Sequence, residues 1–234
     1  MPRLPRITPA KIPVHIIQRG NNRQVCFGSE EDHAVYADWL KEYSKKYDVD
    51  IHAWVFMTNH IHLLCTPHHE NAVSKMMQSL GRSYVQYFNR EYRRSGTLWE
   101  GRFRSCLVQE NEYLLELYRY IELNPVRAGV VNSPAEYSWS SYQINGVGKK
   151  SELCTPHANY LSLGSTTDER LQNYRELFID HVEEDLLQEI RENIQKGMVL
   201  GNDRFKEEIE ILTDRRCVAQ KRGRPVGWRK QKSI

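Results

Sequence analysis

Residues 49–65 have the sequence VDIHAWVFMTNHIHLLC. In this stretch, two runs rich in β-branched, aromatic and other apolar residues stand on either side of Met57-Thr58-Asn59. Runs of this length and composition are typical of strands, and a short break between them predicts a hairpin. We therefore expect two antiparallel strands at residues 49–56 and 61–65, both buried in the centre of a sheet.

The segments on both sides of this hairpin alternate between strand and helix patterns. On the N-terminal side, a β-branched run predicts a strand at about residues 12–19, and Ser29 is a suitable N-cap for a first helix. On the C-terminal side, helical spacing of apolar residues over about 71–92 and 112–123 brackets a strand pattern at 97–109. The order β, α, β, β, α, β, α predicts an α+β fold, a ferredoxin-like split βαβ antiparallel sheet with its helices on one face.

The composition changes after this unit. We place a first domain at residues 1–145, a helical C-terminal region at 146–213 and a basic tail at 214–234. Residues 215–234 contain eight Lys or Arg and no acidic residue, so the formal charge of +3 for the whole chain leaves −5 for residues 1–214. Positive charge gathered at a terminus favours a polyanionic partner, usually nucleic acid, although a solvated disordered tail has the same composition.

Other classes of protein are excluded by composition. No stretch approaches the ~20 apolar residues that span a bilayer, and the N-terminus lacks the apolar run of a secretory signal. We therefore expect no membrane contact and a cytoplasmic location, nucleoid-associated when DNA is bound. The five cysteines are scattered and form no Cys-x-x-Cys pair, which argues against a disulfide framework or a zinc ribbon and predicts reduced thiols.

The second strand of the hairpin contains the pair His60-Ile61-His62. Because side chains alternate along a strand, both imidazoles project from one face and Ile61 from the other. Two adjacent nitrogen ligands for a metal ion would result, but a pair of hydrogen-bonded structural histidines has the same sequence pattern. The Glu and Pro-Cys-x-x-Cys that a zinc deaminase requires are missing.

Tyr120 and Asn124 stand four residues apart near the end of the last predicted helix, so they share one face of it. Packed on the histidine face of the sheet, they would give a divalent ion N, N and O ligands beside a nucleophilic oxygen. However, Asn124 before Pro125 is equally the pattern of an N-cap followed by proline at the first helical position, and Tyr120 has the character of a core residue. Spacing alone favours this structural interpretation.

Three segments, taken together, carry a resemblance to a known family: Thr58-Asn59-His60-Ile61-His62-Leu63-Leu64, Leu98-Trp99-Glu100-Gly101-Arg102-Phe103-Arg104-Ser105, and Tyr118-Arg119-Tyr120-Ile121-Glu122-Leu123-Asn124-Pro125-Val126-Arg127-Ala128-Gly129. In order and spacing they resemble the REP-associated tyrosine transposases, which belong to the HUH single-strand nucleases. The resemblance covers about residues 10–145.

This resemblance implies roles for four residues. His60 and His62 match the pair that binds a divalent ion, Mg²⁺ or Mn²⁺, and Asn124 stands where relatives carry a third metal ligand. Tyr120 matches the tyrosine that attacks DNA, whereas Tyr113 and Tyr118 have no amide four residues later. The implied activity is a transposase-like cleavage and transfer of single-stranded DNA near hairpins, through a covalent 5′-phosphotyrosine.

Basic side chains around these motifs are candidates for phosphate contacts, although a solvated basic surface explains any one of them equally well. They are Arg102, Arg104, Arg119 and Arg127. In the tail, the Arg222-Gly223-Arg224-Pro225 segment resembles the core of an AT-hook, in which Arg222 and Arg224 would enter the minor groove of A·T-rich duplex. A nonspecific basic tail is the alternative.

Two hypotheses of function follow. The first is a metal-dependent nuclease and strand transferase that uses Tyr120. The second is a noncatalytic protein that binds DNA hairpins on the same sheet. Sequence favours the first, because His60, His62, Tyr120 and Asn124 are all retained. The acidic helices of the C-terminal region are interpreted as a scaffold or dimer contact, in a protein that is a monomer or a homodimer.

Overall fold

The computed structural model describes residues 8–179 and 182–217. Most of the basic tail expected at 214–234, with Arg222 and Arg224, lies outside the described residues. Within the described ranges, no helix combines the length and the apolar character needed to cross a membrane. All five cysteines fall inside these ranges as free thiols.

Five strands form a single sheet in the order β2-β3-β1-β4-β5. They are β1 (Val14–Arg19), β2 (Val49–Met57), β3 (His60–Pro67), β4 (Arg104–Val108) and β5 (Val199–Leu200). The predicted β2–β3 hairpin is confirmed, with Met57 paired to His60 across the Thr58-Asn59 turn. β1, β2, β3 and β4 pair antiparallel, as expected, whereas β5 adds a short parallel strand beside β4 that the sequence did not predict.

Two strands differ in extent or position from the expectation. The strand expected at 97–109 is confined to β4, because the chain before it turns at Gly96 and Gly101, which both have positive φ. β2 lies at the end of the sheet rather than in its centre. It is nevertheless buried, because residues 139–141 cover its outer edge: the Phe56 N–H donates to the Trp139 carbonyl oxygen, and the Trp54 carbonyl oxygen accepts from the Ser141 N–H.

The helices of the N-terminal part start and end close to the predicted positions. The α-helices in chain order are α1 (Glu30–Tyr47), α2 (Ala72–Glu91), α3 (Glu110–Glu122), α4 (Asn124–Arg127), α5 (Tyr142–Asn145), α6 (Ala158–Leu161), α7 (Thr167–Glu176), α8 (Glu184–Lys196) and α9 (Asp203–Thr213). Ser29 caps α1 in a capping box with Asp32, as predicted. α7 comprises only ten residues.

Helices cover both faces of the sheet. α1 and α2, the helices of the split βαβ unit, pack on one face against side chains such as Phe56 and Leu63. α3 and α8 pack on the opposite face, against side chains such as Val55 and Leu64. The expectation of helices on one face therefore holds for α1 and α2 and does not extend to α3 and α8. Neighbouring residues of β2 and β3 are apolar on both faces, so both faces need cover.

Glu122, near the end of α3, is fully buried and joins the C-terminal region to the rest of the core. Its carboxylate accepts hydrogen bonds from the hydroxyls of Ser141 and Tyr174 and, at 3.0 Å, from Nδ2 of Asn145. Burial raises the pKa of Glu122 to about 7, although these three donors act in the opposite direction. This network holds α3, and with it Tyr120, in a defined position.

Replacing Glu122→Ala should therefore destabilise the protein strongly. Three buried donors would lose their acceptor and a cavity would remain, so we expect the free energy of unfolding to fall by about 3–5 kcal/mol. Urea denaturation measures this difference. Glu176→Ala is the matched control, because Glu176 is exposed on α7 and its carboxylate accepts from Gln172 on its own helix; its effect should stay within about 0.5 kcal/mol. Equal effects of the two substitutions would contradict the assigned role of Glu122.

Candidate active site

His60 and His62 project from the same face of β3, toward α3. Their ring centroids are 5.2 Å apart, and the His62 side chain is only 1% exposed whereas His60 is partly open to solvent. The apolar neighbours Ile61 and Leu63 point into the opposite layer of the core. Alternation along the strand thus places both imidazoles on one face, as the sequence predicted.

A hydrogen bond orients each imidazole. Nδ1 of His60 lies 2.7 Å from Oδ1 of Asn59, and Nδ1 of His62 lies 2.9 Å from Nε2 of His15 on β1. Because an amide oxygen only accepts, Nδ1 of His60 carries the hydrogen and its Nε2 keeps a lone pair. His62 has a free Nε2 lone pair when its Nδ1–H donates to His15, whose ring stacks on it. Carboxylates or other acceptors behind metal-binding histidines fix the tautomer and orientation of the ring in the same way.

These three histidines are neutral at physiological pH. Burial lowers the pKa of His15 to about 3 and that of His60 to about 4. Burial also lowers the pKa of His62, and the neighbouring His15 and His60 rings lower it further. Neutral imidazoles are the form that binds metal ions, so the pair is available as ligands without first losing protons.

Tyr120 faces the histidines from α3. Its ring meets His62 edge-on at 5.6 Å between centroids and His15 at 5.8 Å. Burial raises the pKa of the Tyr120 phenol, and the positive charges of Arg127, Arg191 and Arg19 lower it in turn. The ring is therefore held against the metal-ligand candidates, in a site where cations favour the phenolate.

The competing tyrosines lie elsewhere. Tyr118 is fully buried among the aromatic rings of the C-terminal region, with Tyr174 at 6.1 Å and Tyr160 at 6.4 Å between centroids. Tyr113 is near acidic groups, among them Glu189, which together with burial raise its pKa. Positions two residues apart on a helix differ by about 200° in direction, so only one of Tyr118 and Tyr120 can face the histidines.

Asn124 opens α4, and its side chain turns back to α3. Nδ2 donates to the carbonyl oxygens of Tyr120 and Ile121, at 2.9 and 3.1 Å. The Asn124 side chain also raises the pKa of the His60 imidazole, in opposition to the effect of burial. Asn124 does not cap α4 with its side chain, so the N-cap interpretation is wrong. With both amide hydrogens engaged, its oxygen remains as an acceptor for protonated His60 or as a ligand for a cation.

The candidate arginines divide into those at the site and one that is engaged elsewhere. Arg127 donates to the Tyr120 carbonyl oxygen, and its guanidinium carbon lies 4.6 Å from the Tyr120 ring centroid. Burial lowers the pKa of Arg127 to about 10. Arg102 and Arg104 line a cavity that reaches Tyr120. Arg119 is buried and forms an ion pair with Glu116 on the same helix, at 2.8 Å.

The family model for IS200-like transposases, described as "Transposase IS200 like", matches residues 9–124. The chain belongs to this family. The matched segment contains His60, His62 and Tyr120 and ends on Asn124. The comparison with curated protein sequences gave no match.

Two solved structures resemble this IS200-like transposase. A REP-associated tyrosine transposase bound to a REP hairpin superposes with a TM-score of 0.53 and 16% identity, over 67% of this chain and 93% of its own. A putative transposase from Deinococcus radiodurans R1 gives a TM-score of 0.36 and 21% identity, over 52% of this chain and 96% of its own. The first likeness shows a shared fold, and the second score is too low to support an argument.

Three residues beside the candidate site could not be predicted from the sequence. His15 and Arg19 lie on β1, and only the register of β1 against β3, which pairs Arg19 with His60, brings them to the histidine face. Alternation along β1 puts both on one face, but it does not say which face. Arg191 belongs to α8, far along the chain, and no sequence pattern connects it with the site.

Proposed function

We propose that this transposase family member is a metal-dependent single-stranded DNA endonuclease and strand transferase. It would act at hairpin-forming repeat sequences through a covalent 5′-phosphotyrosine on Tyr120. The observation that carries the proposal is the packing of the Tyr120 ring against His62, with His60 and Asn124 beside them. The fold shared with a hairpin-bound REP-associated transposase supports the choice of hairpin DNA as substrate.

The donor set fits a divalent ion. Within the described residues no three His, Cys, Asp or Glu side chains cluster as a metal site, so the ligands here would be two neutral imidazoles and the Asn124 amide oxygen. Imidazole nitrogens suit Mn²⁺ better than Mg²⁺, which prefers oxygen ligands, and the DNA phosphate and water would supply the remaining oxygens. The bound ion would neutralise charge on the scissile phosphate and polarise it.

Tyr120 supplies the nucleophile. Its phenolate oxygen would attack the phosphorus, forming a Tyr–phosphate bond and breaking the bond to the 3′ oxygen of the preceding nucleotide, which leaves as a 3′-hydroxyl after taking up a proton. One phosphodiester replaces another, so attack by a second 3′-hydroxyl rejoins a strand without a nucleotide cofactor. Arg127, held over the ring, would favour the phenolate and offer its remaining N–H groups to the phosphate.

A covalent adduct on a denaturing gel tests this proposal directly. Protein incubated with Mn²⁺ or Mg²⁺ and a labelled hairpin that carries a single-stranded extension should yield a labelled band at the mass of protein plus DNA fragment. The band should be missing when EDTA is added. A shifted hairpin on a native gel, with no adduct under any metal condition, would instead support the noncatalytic hairpin-binding function.

His15→Phe should weaken metal binding without touching a ligand. Phenylalanine retains most of the packing against His62 but cannot accept its Nδ1–H, so the orientation and tautomer of His62 are no longer set. Loss of such a partner typically costs 10–100-fold in metal affinity. Calorimetric titration of the purified protein with Mn²⁺ measures it. His52→Phe is the matched control, because His52 is also a buried, hydrogen-bonded histidine but binds Thr155 and Thr66. Equal Mn²⁺ affinity in wild type and His15→Phe would contradict the prediction.

A further inference from the structure

The cavity beside Tyr120 has walls from two parts of the chain. The transposase sheet and the loop before β4 contribute Arg19, Arg102 and Arg104, with Glu100 as the acidic member. α8 closes the other side with Arg191, Ile194 and Gln195. Since the family model ends at Asn124, α8 lies in the part of the chain outside the family match.

The buried face of α8 determines where Arg191 points. Leu187, Ile190 and Ile194 are buried against the sheet, so the helix cannot rotate without exposing them. Arg191 is left at the border of this face, with its side chain 39% exposed. Its positive charge is close enough to lower the pKa of both Tyr120 and Arg127. A long cationic side chain on a fixed helix is thus directed at the site.

The charges that line the cavity select an anion. Four arginines and one glutamate line it. A second groove along β4, between α8, α9 and the segment that contains Arg215 and Arg216, shares Arg102 and Arg104 with this cavity. A concave surface with this excess of positive charge attracts phosphate groups. A single DNA strand that reaches Tyr120 would have to place its neighbouring phosphates in this cavity.

We propose that Arg191 binds a phosphate of the single strand next to the one that Tyr120 attacks, so that α8 completes the active site from outside the family domain. This inference rests on the proposed function for its substrate. In the free protein, Nη1 of Arg191 is 3.0 Å from Oε1 of Glu184, two turns earlier on α8. Glu184 would therefore pair with Arg191 until a DNA phosphate takes the place of the Glu184 carboxylate.

Substitutions of Arg191 and of Glu184 should have different effects on the affinity for DNA. Arg191→Gln should weaken binding of a hairpin with a single-stranded extension by about tenfold, and of the hairpin alone by less than about twofold. Glu184→Gln should leave binding of the extended hairpin unchanged or tighten it up to about threefold, because it frees Arg191. If Arg191 served only to hold α8 together through Glu184, both substitutions would weaken binding alike.

Arg204→Gln is the matched control. Arg204 lies on α9 and forms a similar ion pair with Glu208, at 3.0 Å, with its side chain 88% exposed. Its substitution should change the affinity for either DNA by less than about twofold. Arg191→Gln and Arg204→Gln with the same affinities would overturn the inference.

Substitution of single phosphates by neutral methylphosphonates identifies the phosphate that Arg191 binds. Each phosphate of the extension is replaced in turn, and binding is measured for wild type and for Arg191→Gln. At the phosphate that Arg191 binds, the replacement should weaken the wild type and leave Arg191→Gln unaffected. Equal losses in both proteins at every position would overturn the inference.

In these binding measurements every protein, including the one called wild type, carries Tyr120→Phe and EDTA is present, so no affinity depends on cleavage. The two proposals can therefore fail separately. Absence of an adduct with wild-type protein would refute the proposed chemistry and leave the phosphate contact measurable. If an adduct forms but no methylphosphonate replacement has an effect that depends on Arg191, only the contact would be refuted.

Discussion

Tyr120→Phe is expected to abolish the covalent protein–DNA adduct while the affinity for the hairpin stays within about twofold of wild type. The substitution removes the one atom that would bond to phosphorus, so the cleavage rate should fall by at least about 10³-fold. The ring stays in place, because its contacts with His62, His15 and Arg127 involve the ring and not the hydroxyl. Adduct yield on a denaturing gel and affinity on a native gel measure the two effects.

Tyr118→Phe is the control two positions away on the same helix. Tyr118 packs among Tyr160 and Tyr174 in the C-terminal part of the core, so its variant should form the adduct at the wild-type rate. An adduct that survives in Tyr120→Phe, or disappears in Tyr118→Phe alone, would show that the nucleophile has been assigned to the wrong tyrosine.

His62→Ala should eliminate metal-dependent cleavage. The substitution removes one of two nitrogen ligands from a nearly closed part of the site, and the remaining imidazole and amide cannot hold the ion at micromolar concentrations. We expect Mn²⁺ affinity to fall by more than about 100-fold and the adduct to become undetectable. Calorimetry with Mn²⁺ and the adduct assay report the two effects separately.

His60→Ala should behave in the same way, since its ring lies against His62 and its pKa responds to the Asn124 side chain. His52→Ala controls for the loss of a buried histidine, because its ring is hydrogen-bonded to Thr155 and Thr66 instead. It should retain both Mn²⁺ affinity and adduct formation. Wild-type cleavage that persists in EDTA, or normal cleavage by His62→Ala, would refute the metal assignment.

Much of the sheet could be predicted from the sequence because its signals are local. A run of apolar residues interrupted by Thr58-Asn59 defines a hairpin from its own composition, and Ser29 with Asp32 defines the start of a helix. Strand alternation alone places His60 and His62 on one face. Each of these features depends on residues that are neighbours in the chain, so the interactions that produce it can be predicted from a short stretch of sequence.

The choice of tyrosine and the role of Asn124, in contrast, do not follow from residues that are neighbours in the chain. Spacing alone favoured a core tyrosine and a helix cap, and the resemblance to a family was needed to favour a site. Only the packing of α3 on the sheet turns Tyr120 toward His62 and sends Tyr118 into the C-terminal core. The buried carboxylate of Glu122 accepts hydrogen bonds from residues of distant segments and so keeps α3 in this orientation about its axis.

By itself, therefore, the sequence determined the strands and helices of residues 12–123, the common face of the two histidines and the family motifs. Tertiary structure alone decided that β5 joins the sheet, that a second layer of helices covers it, and that His15, Arg19 and Arg191 meet at Tyr120. The reason is that strand register and helix packing depend on the sum of many contacts between segments remote in sequence. A pattern read along the chain does not contain those contacts.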